Sequence, residues 1–262
     1  MIRSLYTAAS GMQANQLLVD TISNNLSNVN TTGFKKAKLQ FQDLLYQTLV
    51  EPGATNSDGI KLPGSLQVGL GVKAQSNDRI FLQGNLQQTG NELDLAIEGD
   101  GLFQVQRADG TIGYTRDGTF KINADGIIVN AQGNPLVPNI NVPDQSSHIA
   151  IGPEGTVSVT RQGDTEPTEI GTIELARFPN PSGLRSLGGN LYSQTEASGS
   201  PLVSNPAEGG AGTIAQKYIE TSNVQLVEEM VNLIVAQRAY EINSKAVTTS
   251  DQMLQNANNL KN

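Results

Sequence analysis

The two ends of the chain carry a helical pattern of apolar residues that the long middle part lacks. In residues 1–33, apolar side chains recur at steps of three and four, which predicts a helix whose heptad-like stripe packs against another helix. Two threonines and then Gly33, which suits a left-handed helix end, predict where this helix stops. The stripe consists of Ile2, Leu5, Ala9, Met12, Val19, Ile22, Leu26 and Val29.

The last segment, residues 222–262, has two such rows side by side. Ser222 and Gln225 match a capping box, which predicts that the helix begins there. Two adjacent rows allow one helix to contact more than one neighbour, as a tube of many helices requires. One row is Leu226, Met230, Leu233, Tyr240, Val247 and Leu254, and the other is Val227, Val231, Ile234, Ile242, Ala246, Met253, Ala257 and Leu260.

Between the ends, Asp-Gly pairs recur between short runs in which polar and apolar residues alternate. Such pairs are typical of hairpins with type I′ turns, in which both central residues have positive φ. The pattern predicts an antiparallel meander that closes into a small sandwich or barrel. Its strands are predicted at 93–98, 102–107, 112–115, 119–123, 127–130, 156–160 and 172–178.

We therefore predict an α+β protein built from three kinds of segment. Residues 1–33 and 222–262 form a helical coiled-coil domain from the two ends of the chain, and residues 76–195 form a central all-β domain. Residues 34–75 and 196–221 contain stretches rich in Gly, Pro, Ser and Asn without periodicity, and they are predicted as linkers or extended arms.

The polar residues of the first segment are unusual for a helix that faces solvent. Residues 1–33 contain only two charged residues, Arg3 and Asp20, but five asparagines. Asn is a poor helix former, yet its amide can form hydrogen bonds in a crowded interface without the desolvation cost of a charge. We expect burial between neighbouring subunits; the alternative is a partly disordered N-terminus that needs no helix propensity. Both hold if this end is disordered alone and helical when assembled. The asparagines are Asn15, Asn24, Asn25, Asn28 and Asn30.

The net charge of −8 and the absence of cysteine narrow the possible functions. The longest basic run is Lys35-Lys36-Ala37-Lys38, which we expect to be a solvated patch, so nucleic acid is not expected as a partner. Without cysteine there is no disulfide framework and no thiolate metal site. No stretch reaches the roughly 18 apolar residues of a membrane span, and residues 1–10 lack the apolar core of a secretory signal. We expect no membrane insertion.

Residues that could carry catalysis or bind a cofactor are sparse. The single histidine, His148, forms neither a common zinc site nor a catalytic triad by itself, and we expect it at the surface or in a turn. Residues 69–74 match a dinucleotide-binding fingerprint by letters, but a strand pattern follows where that fingerprint requires a helix. Each Asp-Gly pair offers one carboxylate, whereas a calcium loop gathers several. We expect that the protein is not an enzyme and that it binds no metal and no cofactor.

Three parts of the chain closely resemble the signatures of bacterial flagellar rod and hook proteins. The first comprises Ser10-Gly11-Met12 and the run 22–35, and the last comprises residues 220–224, 229–232 and 237–241. The central runs 95–103 and 114–118 resemble the β domain that the hook protein shares with the larger rod proteins. Leu102 stands where the family often has Phe, which is a conservative apolar difference.

The resemblance implies a structural subunit of the distal rod that self-assembles into a rigid helical tube. Such a tube crosses the periplasm in the flagellar basal body, transmits torque to the hook and forms the export channel. The resemblance also implies export by the flagellar type III apparatus without a cleaved signal peptide. Implied partners are further copies of the chain, other rod proteins, the hook protein, and the ring proteins that serve as a bushing in the peptidoglycan and outer-membrane layers. Two alternatives are a subunit of the proximal rod and a secreted β-rich binding module with a helical stalk.

Two sets of candidate residues follow. The stretch 46–67 resembles an insertion that accompanies a straight, stiff rod in the family, and its candidate residues are Glu51, Pro52, Gly53, Gly64 and Gln67. The terminal helices are expected to form the inner tube and to carry the assembly interface. Its candidate residues are Ile2, Leu5, Met12, Val19, Ile22, Asn24, Asn25, Leu26, Val29, Leu226, Val227, Met230, Val231, Leu233, Ile234, Tyr240, Val247 and Leu254.

Overall fold

The computed structural model describes residues 2–52, 64–143, 146–161 and 166–259 of the 262-residue chain. Within these ranges a long helix, α1 (Ile2–Ser27), precedes a series of short antiparallel strands, and a second long helix, α2 (Leu226–Asn259), follows them. A 3-10 helix spans Pro181–Gly183. The predicted α+β class, with a helix at each end and β structure between, is confirmed.

Each of the seven stretches predicted as strands contains a strand, and strands also occupy the two segments predicted as linkers or extended arms. In chain order the strands are β1 Ala37–Asp43, β2 Tyr46–Val50, β3 Leu66–Gly69, β4 Val72–Arg79, β5 Leu86–Gln88, β6 Leu95–Glu98, β7 Leu102–Gln106, β8 Ile112–Thr115, β9 Lys121–Ile122, β10 Ile128–Val129, β11 Ser146–Ile151, β12 Thr156–Arg161, β13 Thr168–Thr172, β14 Leu175–Arg177, β15 Arg185–Gly188, β16 Leu191–Ser193, β17 Leu202–Ser204, β18 Thr213–Gln216 and β19 Tyr218–Glu220.

The described part of the chain forms two compact units. The helical unit comprises Met1–Leu26, Ala37–Asp78 and Leu226–Asn262, and the β unit comprises Ser27–Lys36 and Arg79–Gln225. Each unit therefore draws on segments that are far apart in sequence, and both ends of the chain belong to the helical unit.

In the helical unit, α1 and α2 lie antiparallel in a constant register. Successive contacts are seven and fourteen residues apart on both helices, which is the heptad spacing of a coiled coil. The contacts are Ser4 Oγ to Ser250 Oγ at 3.4 Å, Asn25 Nδ2 to Glu229 Oε2 at 3.2 Å, and Gly11 to Asn243, whose Nδ2 would lie 3.1 Å from a Cβ added to the glycine.

The fully buried side chains that α2 contributes to this seam are small or polar, and larger apolar side chains at its edges are half-buried. The buried residues that α2 contributes are Glu229, Ala236 and Ser250. On α1, Gly11 allows close approach of the two backbones, because any side chain there would press on Asn243. Helix pairing within the chain therefore consumes little of the large apolar surface that the sequence pattern places on α2.

A second side of α1 packs against the strands of the helical unit. Gly71, at φ +117°, lies so close to α1 that an added Cβ would be 2.2 Å from Ser10 Oγ. The Asn25 side chain accepts a hydrogen bond from the Ala37 N–H and donates one to the Ala37 carbonyl, each at 2.9 Å. Among the described strands of this unit, β1 pairs with β4, and β2 pairs with β3 as a hairpin. Helix α1 thus contacts both α2 and these strands, and the Asn25 side chain bonds to both.

The β unit is built on a sheet of described strands in the order β15-β16-β8-β7-β14-β17, with β11-β12-β13 as a second sheet. Alternating residues of the central strands point to opposite sides. Phe103 and Val105 of β7 face the main core with Leu175 of β14, whereas Leu102 faces a smaller cluster. In that cluster the rings of Tyr114 and Phe178 meet edge to face at 4.8 Å.

The turn type predicted for the Asp-Gly pairs is wrong. Gly110 and Gly126 have φ near +80°, but the aspartates that precede them do not have positive φ. The Gly110 N–H bonds to the Arg107 carbonyl at 2.9 Å, so the glycine closes a turn instead of forming its centre. Among the described hairpins, the one between β15 and β16 turns through Gly189 and Asn190, both at φ near +60°, as a type I′ turn requires.

Candidate functional site

Three charged side chains from distant parts of the chain meet inside the β unit. The carboxylate of Glu220 lies between the Lys35 ammonium, whose Nζ is 2.5 Å from Oε1, and the Arg116 guanidinium, whose Nε donates to Oε2. All three residues are at most 5% exposed. The Lys35–Arg116–Glu220 cluster thus connects the turn after α1, the end of β8 and the end of β19.

Backbone groups supply the remaining hydrogen-bond partners of the cluster, because one carboxylate cannot satisfy all the donors of two cations. Lys35 Nζ also donates to the Leu82 carbonyl at 2.7 Å, and the Gly84 N–H donates to Glu220 Oε1 at 2.7 Å. Burial lowers the pKa of the Lys35 ammonium, and this effect outweighs the opposing effect of Glu220. Buried charges are tolerated only when they are paired and hydrogen-bonded, and this cluster meets both conditions. The Arg116 guanidinium donates to the carbonyls of Ile97, Gly99 and Gly101.

The turn that follows α1 is fitted closely to the end of β8. A Cβ added to Gly33, which has φ +66°, would lie 2.6 Å from the Asp117 nitrogen. Thr32 Oγ1 donates to Asp117 Oδ1 at 3.1 Å, and Asn190 Nδ2 donates to the Thr32 carbonyl at 3.1 Å. Gly33 is left-handed as predicted, but it does not end the helix, since α1 stops at Ser27. Contact with the β unit, and not helix termination, makes glycine necessary here.

The predicted capping box is wrong, because the segment before α2 belongs to the β unit. The Asn223 side chain accepts a hydrogen bond from the Lys36 N–H at 2.7 Å and donates one to the Ile80 carbonyl at 2.8 Å. Ser222 is buried, and its Oγ accepts from the Val224 N–H. These contacts delay the helix, which begins at Leu226.

The expectation that residues 35–38 form a solvated basic patch is also wrong in part. Lys35 is 1% exposed, whereas Lys38 is exposed. The Arg79 guanidinium lies 5.0 Å from the centre of the Phe34 ring and donates to the Lys35 carbonyl at 2.7 Å. Sequence reasoning missed the cluster because charge runs are normally exposed. A usable signal was present, since Lys35, Arg116 and Glu220 each lie inside one of the three signature stretches.

The predicted assembly residues fall into three groups within the described chain. Ile22 and Asn25 are buried by the chain's own packing. Half-buried residues are Leu5, Met12, Val19, Leu26, Val29, Leu233, Val247 and Leu254. Exposed residues are Asn24, Leu226, Val227, Met230, Val231, Ile234 and Tyr240. Ile2 lies in α1, and its side chain is outside the described part of the structure. The exposed residues on α2 therefore form the surface that remains available to other molecules.

Asn25 and Asn15, which the sequence placed between subunits, bond within the helical unit. Asn25 bonds to Ala37 and Glu229, and Asn15 Nδ2 donates to the Gly11 carbonyl at 2.8 Å. The amide side chains of α1 thus serve the chain's own fold at these positions.

The predicted stiffness residues lie around the β2–β3 hairpin. Glu51 and Pro52 are exposed just after β2, and Gln67 in β3 donates from Nε2 to Thr48 Oγ1 at 3.4 Å. An added Cβ at Gly64 would meet no atom within 4 Å. Gly53 lies outside the described residues.

The single histidine lies at the surface, as predicted, in strand β11. His148 is half exposed, and its Nδ1 is 2.5 Å from Glu92 Oε1. Glu92 Oε2 also accepts a hydrogen bond from the Ile149 N–H at 3.1 Å. Across the described residues, no three His, Asp or Glu side chains come together as metal ligands. His148 and Glu92 therefore form a surface contact between β11 and the segment before β6.

Three family models match this chain, and together they cover both ends and the centre. They are described as flagella basal body rod protein (residues 5–35), flagellar hook protein FlgE/F/G D1 domain (96–159) and flagellar basal body rod FlgEFG protein C-terminal (215–260). Each of the three matched regions contributes one member of the Lys35–Arg116–Glu220 cluster.

Similar proteins match over the whole length of the chain. The flagellar basal-body rod protein FlgG of Buchnera aphidicola subsp. Schizaphis graminum is 50% identical over 260 residues, which is 99% of this chain and 100% of that protein. The protein of the same name from Borreliella burgdorferi is 51% identical over 263 residues, covering 100% and 99%. The one from Bacillus subtilis is 40% identical over 267 residues, covering both chains fully.

We expect Glu220→Gln to destabilise the β unit strongly. The substitution keeps the shape of the side chain but leaves two buried cations without a carboxylate, which costs about 3–5 kcal/mol when one partner of a buried pair is removed. Hydrogen exchange of the β7 and β8 amides in increasing urea measures this loss. Glu196→Gln, at an exposed site, is the control and should change stability by less than about 0.5 kcal/mol. Equal losses of stability from the two substitutions would show that the cluster does not contribute to the stability of the β unit.

We expect Gly33→Ala to cost clearly more stability than Gly110→Ala. Both glycines are left-handed, so both substitutions carry the backbone penalty of roughly 1–2 kcal/mol. Only at Gly33 would the new methyl group collide with backbone atoms, at 2.6 Å from the Asp117 nitrogen, since Gly110 has open space around it. Urea unfolding of the two variants compares them directly, and equal losses would contradict the close fit of this turn.

Proposed function

Because this chain belongs to the flagellar basal-body rod protein family, we propose that it is a structural subunit of the distal rod that assembles with copies of itself. The family is structural, and its members assemble with other basal-body components such as rod and hook proteins, so we assign no reaction to the chain. None of the described helices is long and apolar enough to cross a membrane. The observation that carries the proposal is the apolar surface of α2 that α1 leaves uncovered.

That surface points away from the helix pair. Ile234 stands two residues, or about 200° of helical rotation, before Ala236, which faces α1, and it is 56% exposed. Val227 and Val231 flank Glu229 in the same way and are also exposed. Large contiguous apolar surfaces on soluble proteins mark interaction sites. In a non-closing, heterologous contact, this surface of one copy would meet a different surface of the next copy.

In this proposal the terminal helices of many copies form an inner tube around the export channel. Helices α1 and α2, which lie within the predicted coiled-coil segments 1–33 and 222–262, would supply that tube, and the predicted β domain of residues 76–195 would lie outside it. Torque passes through many such contacts between copies on its way to the hook. Full-length similarity to flagellar basal-body rod proteins named FlgG favours this function over a secreted binding module. We propose the distal rather than the proximal rod because the stretch 46–67 resembles the insertion that accompanies a straight, stiff rod.

Further partners belong to the same proposal. The ring proteins of the peptidoglycan and outer-membrane layers would surround the rod as a bushing, and the flagellar type III apparatus would export the chain without cleavage. The net charge of −8 disfavours nucleic acid as a partner, and the partners proposed here are proteins.

The proposal is tested by Ile234→Asp, which should abolish polymerisation and leave the monomer folded. A carboxylate at this exposed site costs the monomer little, but in a contact between copies it would be a buried, unpaired charge. Sedimentation of purified chain measures polymer, and circular dichroism measures helix content.

Two variants serve as comparisons for Ile234→Asp. Ile112→Asp makes the same change at a site of the β unit that is also exposed, and it should polymerise like the unaltered chain. Leu233→Asp falls on the half-buried side of α2 and should also lower helix content. Normal polymers from the Ile234→Asp chain would refute the proposed surface.

We propose that residues 51–67 stiffen the assembled rod more than they stabilise the subunit. Replacing 53–63 by a short Gly-Ser turn keeps the pairing of Val50 with Leu66 and of Thr48 with Gln67, so we expect normal unfolding and polymers that bend more. Electron microscopy gives the persistence length. A Gly-Ser replacement of the original length separates the effect of length from that of sequence, and unchanged bending of both polymers would contradict the proposal.

A further inference from the structure

We propose that a pocket in the β unit binds a small monocarboxylic acid with an apolar body. The pocket lies beside the Lys35–Arg116–Glu220 cluster and has a volume of about 250 Å³. Pockets for drug-sized ligands typically measure about 300–1,000 Å³, so this one suits a smaller molecule. Its described lining residues all belong to the β unit of one copy. The inference therefore does not depend on self-assembly.

Cations predominate in the wall of this pocket. Lys35, Arg116 and Arg177 line it, and Asp100 is the one acidic residue among the described lining residues. Lys35 and Arg116 share a single carboxylate, that of Glu220, so the buried cluster has one positive charge in excess. The chain as a whole has a net charge of −8, so this local excess is unusual for it. A cleft lined by one sign of charge concentrates ions of the opposite sign, and this pocket therefore favours an anion.

The two buried cations also have hydrogen-bond donors beyond those already used. A lysine ammonium can donate three hydrogen bonds, and the described bonds of Lys35 are two, to Glu220 and to the Leu82 carbonyl. A guanidinium can donate five, and the described bonds of Arg116 are four. Both residues are at most 5% exposed, so bulk water has little access to the remaining donors. A ligand in the pocket that both residues line would supply the missing acceptors.

The ionisation of Lys35 is consistent with an incompletely compensated charge. Burial lowers the pKa of its ammonium, Glu220 opposes this effect, and the Arg116 cation adds to the lowering. The net result is a lowered pKa, so one carboxylate does not offset burial and a neighbouring cation together. An anion bound in the pocket would favour the charged form of Lys35.

The apolar part of the wall selects the body of the ligand. Leu102 and Phe178 are buried in the smaller core cluster, Phe81 packs against that cluster, and all three residues line the pocket. They offer contact to a hydrocarbon group that leaves water. A single excess charge matches a monoanion, and a guanidinium matches the planar shape of a carboxylate. A monocarboxylate with an aliphatic or aromatic body therefore fits better than inorganic phosphate, which has no apolar part.

Binding is tested by titrating the purified full-length chain with phenylacetate and recording its amide signals by NMR. Saturable shifts are expected at Leu102, Ala176 and Arg177, which line the pocket. Phenethylammonium has the same ring and the opposite charge, whereas inorganic phosphate has negative charge and no ring. Each should bind at least about tenfold more weakly than phenylacetate, a difference of about 1.4 kcal/mol. Absence of saturable shifts with phenylacetate, or equally tight binding of either comparison probe, would overturn the proposal.

Two substitutions in the pocket wall should change affinity in opposite directions. Arg177→Gln removes a cation, and affinity for phenylacetate should fall about tenfold, as expected for the loss of one charge-assisted hydrogen bond. Asp100→Asn removes the acidic lining group and should raise affinity several-fold, because a like charge no longer faces the ligand. Arg177 is half-buried and Asp100 is exposed, so both variants should fold.

Matched variants place the same changes away from the pocket. Arg185→Gln alters an exposed residue of β15, and Asp125→Asn alters an exposed residue of another Asp-Gly turn. Both should bind phenylacetate like the unaltered chain. Damage to the fold would weaken binding and not strengthen it, so higher affinity in Asp100→Asn separates a charge effect from a loss of structure. Unchanged affinity in both Arg177→Gln and Asp100→Asn would refute the assignment of the ligand to this pocket.

Discussion

The β unit depends on one buried carboxylate. Glu220 holds Lys35 and Arg116 at its two oxygens, and these three residues belong to the beginning, the middle and the end of the chain. A buried ion cluster is not by itself a source of stability, because desolvation offsets most of the attraction. We infer that its effect is on specificity, because the two buried cations are paired only where the segments that carry Lys35, Arg116 and Glu220 meet. The cluster therefore specifies which distant segments close the unit.

In the helical unit, one face of α2 sets the register with α1, and another face carries exposed apolar residues. The contacts that fix the antiparallel register of α1 and α2 involve glycine, serine, asparagine and one glutamate, through close approach and hydrogen bonds. Several large apolar side chains of α2, among them Val227, Val231 and Ile234, are exposed. In a protein that acts alone, such side chains would normally face the core, with polar residues outside. Their exposure is understandable if this face becomes buried between copies.

Periodicity in the sequence was sufficient for the element order but not for the contacts that end the elements. Steps of three and four predicted both helices, and alternation predicted seven strands, because these patterns reflect local geometry. The start of α2 and the turn at Gly33 were mispredicted because they depend on contacts with residues distant in sequence. Asn223 bonds to Lys36, and Gly33 lies against Asp117. The same limit applies to Lys35: a lysine run looks solvated until Glu220 and Arg116 are known to lie beside it. For the candidate site, the sequence showed the three motifs that contain Lys35, Arg116 and Glu220, but it did not show that these residues meet in the fold.

The division between the two faces of α2 also bears on when the helices are ordered. About 60 helical residues must lose backbone freedom for the pair to form. The buried residues of α2 are small or polar and return little hydrophobic free energy in exchange, since that term scales with the apolar area removed from water. Exposed apolar side chains of α2 leave water only when another molecule covers them. We therefore expect ordering of the ends to be coupled to assembly, whereas the β unit, with Phe103 and Leu175 fully buried, carries its own core. On this hypothesis a subunit completes its fold as it joins the assembly.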